Sequence, residues 1–147
     1  MKQSIIVIGI AALSSFALAE PDKWDYYNED LQKAVDGMAT ETYCGGPVKA
    51  SYDVASFKTD KEMAVASQCG VGVGGIGSYC YEKTPKAKAA VLKAVQSVTC
   101  HFDGSLKKET HHATKFAKKG TQVDFWFSAD VSNVGDEMQD FLRKTLK

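Results

Sequence analysis

The four cysteines constrain the fold of this chain more than any other residues do. They are Cys44, Cys69, Cys80 and Cys100. An even number of cysteines in an exported chain predicts two disulfide bonds, each of which would stabilise the fold by about 2–4 kcal/mol. Their wide and irregular spacing does not match the short Cys-x-x-Cys pairs of zinc sites. Three pairings are possible, and the sequence alone does not choose among them.

Residues 1–19 predict that the chain is exported. Lys2 supplies a positive charge, residues 5–13 form an apolar stretch, and Ala17 and Ala19 place small residues before a cleavage site. The apolar stretch is shorter than the roughly 20 residues that a membrane-spanning helix needs. We therefore expect residues 1–19 to be a cleaved signal peptide. Residues 20–147 would then form a single domain, periplasmic or secreted, without a membrane span.

Apolar periodicity along residues 20–147 predicts an α+β domain. Two start patterns, the capping box of Thr59 with Glu62 and the pair Thr84-Pro85, predict where helices begin. The predicted helices lie at 24–38, from 60 onward, from 85 onward, and after a cap at Ser132 or Asn133. The predicted strands lie at 48–54, 98–102, 106–116 and 123–127.

Short turns predict how these strands join. Asp103-Gly104 is a strong hairpin signal, and Lys119-Gly120 turns the chain again. Strands joined by such turns are antiparallel. We therefore predict a disulfide-stabilised antiparallel sheet of about four strands, with three to five helices packed on one face. The other face would be partly solvated and would carry Thr99, His101, Gln122 and Asp124.

Residues 70–77 are rich in glycine and leave two alternatives open. The five glycines would cost a helix about 4–5 kcal/mol relative to alanine. Residues 72–77 match a dinucleotide fingerprint, but a capped helix precedes them where that motif requires a strand, so we expect close packing and no cofactor. Either the chain breaks here and Cys69 can bond to Cys80, or the helix continues. A continuous helix holds these two cysteines about 16 Å apart on one stripe, so each would bond to one of the other two.

A cluster of basic residues between 107 and 119 is the candidate anion-binding surface. Its members are Lys107, Lys108, His111, Lys115, Lys118 and Lys119. In an exported protein it would suit anionic lipid, lipopolysaccharide or acidic glycans. The cluster has no arginine and one interleaved aromatic, Phe116, so it does not suit nucleic acid. The alternative, which we favour, is an edge strand whose lysines prevent sheet-to-sheet association.

The three histidines are the candidates for catalysis or metal binding. His111 and His112 are adjacent on a predicted strand, so only one of them could share a face with His101. No serine lies in a G-x-S-x-G elbow. We therefore assign no catalytic residue and no metal site. The alternative is a small secreted hydrolase or metal-dependent enzyme that uses His101 or His112.

The order of the signal peptide, the cysteines and the predicted elements along the chain can be compared with that of known proteins. A signal peptide precedes Cys44-Gly45 and a strand, Cys69 and Cys80 flank a helical segment, and a strand at 98–102 leads to a helix capped by Asn133. This layout resembles small exported bacterial proteins of uncharacterised function. The resemblance implies a periplasmic or outer-surface location in a Gram-negative cell and brings no activity. We predict a non-enzymatic binding or structural domain of the cell envelope, with an anionic envelope component or another periplasmic protein as its partner.

Overall fold

The computed structural model describes residues 23–146, so the predicted signal peptide lies outside the described residues. The helices are α1 (Lys23–Val35), α2 (Asp60–Ala64), α3 (Gln68–Cys80), α4 (Pro85–Ala94), α5 (Lys108–His111) and α6 (Val134–Thr145). The strands are β1 (Lys49–Tyr52), β2 (Ser97–Phe102), β3 (Thr114–Lys119) and β4 (Gln122–Phe127). A π-helical segment at Asp36–Cys44 follows α1, and a 3-10 turn at Val54–Ser56 follows β1.

The start signals of the helices are largely confirmed. Thr59 and Glu62 form the predicted capping box, in which each side chain accepts a hydrogen bond from the other residue's backbone N–H. The Thr84 hydroxyl caps α4 by accepting from the N–H of Ala87 at 3.3 Å. Asn133 occupies the cap position of α6, but its side chain makes no cap hydrogen bond.

The four strands form one sheet in the order β1-β2-β4-β3. β1 pairs with β2 and β2 pairs with β4 in parallel, whereas β3 pairs with β4 in antiparallel orientation. The predicted α+β class with disulfides is confirmed. The prediction of a purely antiparallel sheet is wrong, because two of the three pairings are parallel.

For the pairing of β2 with β4, this error originates at Asp103 and Gly104, which do not form a hairpin. Asp103 accepts hydrogen bonds from the backbone N–H and the hydroxyl of Ser105, at 2.9 and 2.6 Å. The turn leads into α5, and β3 begins only at Thr114, so the predicted strand at 106–116 is wrong over most of its length. Because α5 carries the chain past the position next to β2, β4 can return between β2 and β3.

The core lies between the sheet and a layer of helices on one of its faces. Val98 and Cys100 of β2 pair with Val123 and Phe125 of β4, and all four are inaccessible to solvent. Fully burying one large apolar side chain contributes about 1.5–3 kcal/mol. The helices add Val73, Ile76, Met138 and Leu142. On the opposite face of the sheet, here called the open face, the side chains are exposed or half-buried; they include Thr99, His101, Gln122 and Asp124, as predicted.

α3 is continuous through the glycines, which decides between the two alternatives. Cys69 bonds to Cys100 and Cys44 bonds to Cys80, with Cα–Cα distances of 5.9 and 5.2 Å. The two predicted disulfides are thus confirmed, and they fix α3 near both of its ends. The dinucleotide fingerprint at 72–77 lies inside this helix rather than at a strand-to-helix turn. Its glycines allow close packing, since a Cβ on Gly72 would lie 2.5 Å from the ring of Phe125.

Side chains of α1 cover the β1 edge of the sheet. The Gln32 amide donates to the carbonyl of Val48 at 3.1 Å and accepts from the N–H of Ala50 at 2.7 Å. The Asn28 side chain accepts from the N–H of Tyr52 at 3.0 Å. This edge therefore has side-chain partners where a further strand would pair. None of the helices in residues 23–146 combines the length and the apolar character that crossing a membrane requires.

Candidate functional site

A row of four side chains crosses the open face from one edge of the sheet to the other. His101 of β2 is in register with Trp126 of β4, and Trp126 is in register with Lys115 of β3. Asp53, directly after β1, completes the row beside His101. Residues from four separate parts of the chain thus meet because the strands adopt the order β1-β2-β4-β3.

The centre of this row is a histidine held between two carboxylates. Nδ1 of His101 lies 2.9 Å from Oδ2 of Asp53, and Nε2 lies 3.1 Å from Oδ1 of Asp124. A neutral imidazole carries one N–H, so only the doubly protonated ring donates to both carboxylates. The Gln122 amide donates to the same Asp124 oxygen at 3.0 Å. The side chain of His101 is 17% exposed, against 23% for Asp124 and 41% for Asp53.

The 3-10 turn after β1 fixes Asp53 in this position. The Asp53 N–H donates to the Cys100 carbonyl at 2.8 Å, which extends the contact between β1 and β2. The hydroxyl of Ser56 donates to the Asp53 carbonyl at 2.7 Å and accepts from the N–H of Phe102 at 2.8 Å. The carboxylate is therefore oriented from both sides by backbone contacts to β2.

Trp126 stands between a histidine and a lysine. The ring of His101 stacks on the indole at 4.8 Å between centroids and 14° between planes. Nζ of Lys115 lies 4.9 Å from the centroid of Trp126. Because β2 and β3 flank β4 on opposite sides, both faces of the indole are in contact with neighbouring side chains. Trp126 therefore orients its neighbours and offers a ligand its edge rather than a stacking face.

The geometry limits the chemistry that His101 can carry out. Each ring nitrogen lies within hydrogen-bond distance of a carboxylate, so a nucleophile would have to displace Asp53 or Asp124 to reach one of them. The two carboxylates lie at opposite nitrogens of one ring, so the three residues do not converge on a point. In the part of the chain that the structure describes, no group of three His, Cys, Asp or Glu residues could hold a metal ion.

His112 belongs to a different place in the fold. Its Nε2 lies 3.5 Å from Oε1 of Glu137 on α6, which is on the helical side of the sheet. His112 and His101 therefore do not contribute to one site. The backbone of His112 is left-handed, with φ of 51°, where α5 ends. The alternative of an enzyme that uses His101 or His112 stays a prediction.

The predicted basic cluster is divided between the two faces of the sheet. Lys115 and Lys119 lie on the open face, whereas Lys118 alternates to the helical side and donates to the Gly120 carbonyl. Lys107 and Lys108 lie at the start of α5, outside the strand. The side chain of His111 lies outside the described ones.

Lys49 lies on the open face together with Lys115 and Lys119. The predicted basic cluster did not include Lys49. The register places Lys49, Ser97, Gln122 and Lys119 side by side across the sheet. Beside Lys49 lies a shallow depression of about 650 Å³, and four of its seven lining residues carry a hydroxyl or an ammonium group. They are Lys49, Ser51, Ser97 and Thr99, together with Gln32, Pro47 and Ala50. The alternation of Lys49 with Ala50 predicted a polar face, but the sequence did not indicate which strands would be neighbours.

Comparison of the chain with protein-family models, with curated proteins and with solved structures finds no match. The assignment of function therefore rests on the geometry of the open face.

Proposed function

We propose that this protein is an exported, non-enzymatic binding domain of the cell envelope, and that its open face binds an acidic glycan. The observation that carries the proposal is the placement of Lys49, Lys115 and Lys119 around a strip of polar side chains. The two carboxylates of this strip, Asp53 and Asp124, are engaged by His101. Ammonium groups attract carboxylate, sulfate or phosphate groups on a sugar chain. The hydroxyls and the Gln122 amide between them can exchange hydrogen bonds with sugar hydroxyls.

The dimensions of the face suit an extended ligand better than a single small ion. Lys49 and Lys119 stand at the two ends of a row that crosses four strands. Neighbouring strands lie about 4.8 Å apart, so the backbones of these two residues are about 14 Å apart. A chain of several sugar rings spans that distance, whereas a single phosphate does not.

The same face is poorly suited to a membrane surface. Its one large aromatic side chain, Trp126, has both ring faces in contact with neighbours, so it offers little for insertion among lipids. Interfacial membrane binding depends strongly on inserted apolar side chains in addition to charge. A polar, hydroxyl-lined face with three lysines therefore favours a glycan over a lipid bilayer.

Two further features support the proposal. Disulfide bonds persist in oxidising compartments such as the periplasm or the extracellular space, where envelope glycans are found. The contacts of His101 with Asp53 and Asp124 connect β2 to the turn after β1 and to β4 beneath the proposed ligand. A surface that is already ordered loses less conformational entropy when it binds.

The test compares the exported, disulfide-bonded protein with charge-reversed variants on acidic polysaccharides. Retention on immobilised heparin and polygalacturonate is measured as salt rises, with neutral dextran as the ligand control. Contacts between exposed charges are screened over about 8–10 Å at physiological salt, so binding should weaken as salt increases. The variant Lys49→Glu/Lys119→Glu should lose binding by at least about tenfold, since each reversal turns an attraction into a repulsion.

The matched control carries the same charge change on α4. Lys86 and Lys93 are exposed on this helix, which belongs to the helical layer, so Lys86→Glu/Lys93→Glu should retain binding. Equal loss in both variants would show a response to net charge alone and would contradict a site on the open face. Co-sedimentation with anionic liposomes that exceeds binding to both polysaccharides would replace the glycan with a lipid surface.

A further inference from the structure

The two edges of the sheet differ in the hydrogen-bond partners that their backbone groups have. At the β1 edge, Gln32 and Asn28 provide hydrogen-bond partners to the backbone of Val48, Ala50 and Tyr52. At the other edge, β3 has β4 as its single neighbour among the strands of residues 23–146. A strand edge with unpaired backbone groups is a template for a further strand.

The alternation of hydrogen-bonded pairs between β3 and β4 identifies which residues of β3 direct their backbone groups away from the sheet. The N–H of Ser128 donates to the carbonyl of Ala113 at 3.2 Å, one step beyond the pair Thr114 and Phe127. Hydrogen-bonded pairs alternate along an antiparallel ladder, so Lys115, Ala117 and Lys119 direct their backbone groups toward β4. The residues between them, Phe116 and Lys118, therefore direct their N–H and carbonyl groups along the outer edge.

This outer edge runs beside a groove between β3 and α6. The groove has a volume of about 670 Å³ and an aromatic floor, in which Phe116 stacks on Phe141 at 5.2 Å between centroids. Glu137, Asp140 and Lys144 of α6 also line it. An apolar side chain from an added strand would cover the exposed part of this aromatic pair.

The two sides of β3 differ in their chemistry. On the open face an added strand would meet Lys115 and Lys119, which attract acidic side chains. On the groove side it would meet the stacked rings of Phe116 and Phe141, which favour apolar side chains. The charged groups on this side are of both signs, since Glu137 and Asp140 stand with Lys144 and Lys118. Because side chains of a strand alternate between its faces, the surface suits a segment in which acidic and apolar residues alternate.

We propose that the outer edge of β3 binds an extended segment of another protein in which acidic and apolar residues alternate, by adding it to the sheet as a fifth strand. Main-chain hydrogen bonds to Phe116 and Lys118 supply affinity, and the alternating side chains supply specificity. A second copy of this chain is a poor occupant, because two lysine-bearing β3 edges repel each other. The lysines thus exclude self-association and admit an acidic partner.

The test uses a capped peptide of about six residues, the usual length of a strand, in which Glu and Val alternate. A peptide of the same composition with its Glu and Val residues in separate blocks is the control ligand. The glycan face also uses Lys115 and Lys119, so the protein variants are placed at Lys118, whose backbone faces outward. Lys118→Pro removes both the side-chain charge and the outward backbone N–H. Lys118→Ala removes the charge but keeps the backbone N–H.

Binding is measured by fluorescence anisotropy of the labelled peptide with the disulfide-bonded protein. Lys118→Pro should bind about tenfold more weakly than Lys118→Ala, the effect expected for a lost backbone hydrogen bond. Equal affinities of these two variants, or equal affinities of the alternating and block peptides, would overturn the proposal.

Hydrogen exchange decides the matter if the proline disturbs the fold. In the wild-type protein, the amides of Phe116 and Lys118 should exchange rapidly without peptide and slow markedly when it binds. The amides of Lys115 and Ala117, which face β4, should be protected in both states. Unchanged exchange at Phe116 and Lys118 in the presence of saturating peptide would exclude strand addition at this edge.

Discussion

The Cα of Gly75 on α3 lies so close to α6 that a Cβ at this position would stand 2.5 Å from the carbonyl oxygen of Gly135. Nothing flexible separates the two, since the atom that a side chain would meet belongs to the backbone. The close crossing of α3 and α6 therefore requires glycine at position 75. It explains why a helix in the core keeps a residue of low helix propensity.

We expect Gly75→Ala to lower the free energy of unfolding by about 1–3 kcal/mol, because the added methyl group forces the two helices apart. Gly74 is the matched control, since a Cβ there would have no neighbour within 4 Å. Gly74→Ala should raise the free energy of unfolding by up to about 1 kcal/mol, because alanine favours the helix. Urea denaturation with both disulfides intact measures both changes. Equal effects in the two variants would contradict the close approach.

The sequence predicted most of the helix starts but not the order of the strands. Capping residues such as Thr59 and Thr84 act over three or four positions, so their signal is local and complete. Strand neighbours depend on where the chain returns after a turn. Asp103 satisfied the hairpin pattern, yet its carboxylate bonded Ser105 and directed the chain into α5.

The candidate site was predictable only in part for the same reason. The alternation around His101 and Asp124 correctly placed both on the open face. Lys49 and Asp53 reach that face through the parallel pairing of β1 with β2, and the sequence carried no signal for that pairing. The spacing of Cys69 and Cys80 was more informative about the disulfide pairing. It left two specific alternatives, and one of them, a continuous helix with both cysteines on one stripe, is the observed one.

The disulfide pairing gives the second prediction. Digestion under non-reducing conditions should yield peptides that link Cys44 to Cys80 and Cys69 to Cys100. Replacing the second pair by alanine should lower the free energy of unfolding by about 2–4 kcal/mol, because the unfolded chain gains freedom. All four cysteines are buried, so reductant should release thiols slowly without denaturant and rapidly with it. A peptide linking Cys69 to Cys80 would contradict a continuous α3.

The histidine between two carboxylates gives the third prediction, which a double-mutant cycle tests. His101→Gln and Asp124→Asn should be coupled by about 1–2 kcal/mol, since a charge-assisted hydrogen bond joins two largely buried groups. The cycle of His101→Gln with Asp53→Asn should give less than about 1 kcal/mol, because solvent screens the more exposed Asp53. Chemical denaturation at neutral pH supplies the free energies. A larger coupling energy of His101 with Asp53 than with Asp124 would contradict the prediction that the less exposed carboxylate interacts more strongly.

The fourth prediction concerns alkaline pH and the buried phenol of Tyr52. Burial raises the pKa of Tyr52 from 10.0 to about 12, and the nearby Tyr27 adds to this shift. The folded state therefore holds the proton more tightly than the unfolded state does. The stability that follows is fully present below pH 10 and is lost as pH rises from about 10 through about 12.

The variant Tyr52→Phe separates this effect from the hydrogen bond that the phenol makes. The Tyr52 hydroxyl donates to the buried carbonyl of Ala66 at 3.0 Å, so its removal should cost about 1–2 kcal/mol at pH 8. The variant has no phenol to ionise, so its free energy of unfolding should fall less steeply between pH 10 and pH 12. The two proteins should therefore converge by about 1–2 kcal/mol over this range. Parallel pH profiles of unfolding would show that Tyr52 ionises equally in both states and would exclude its burial as the cause.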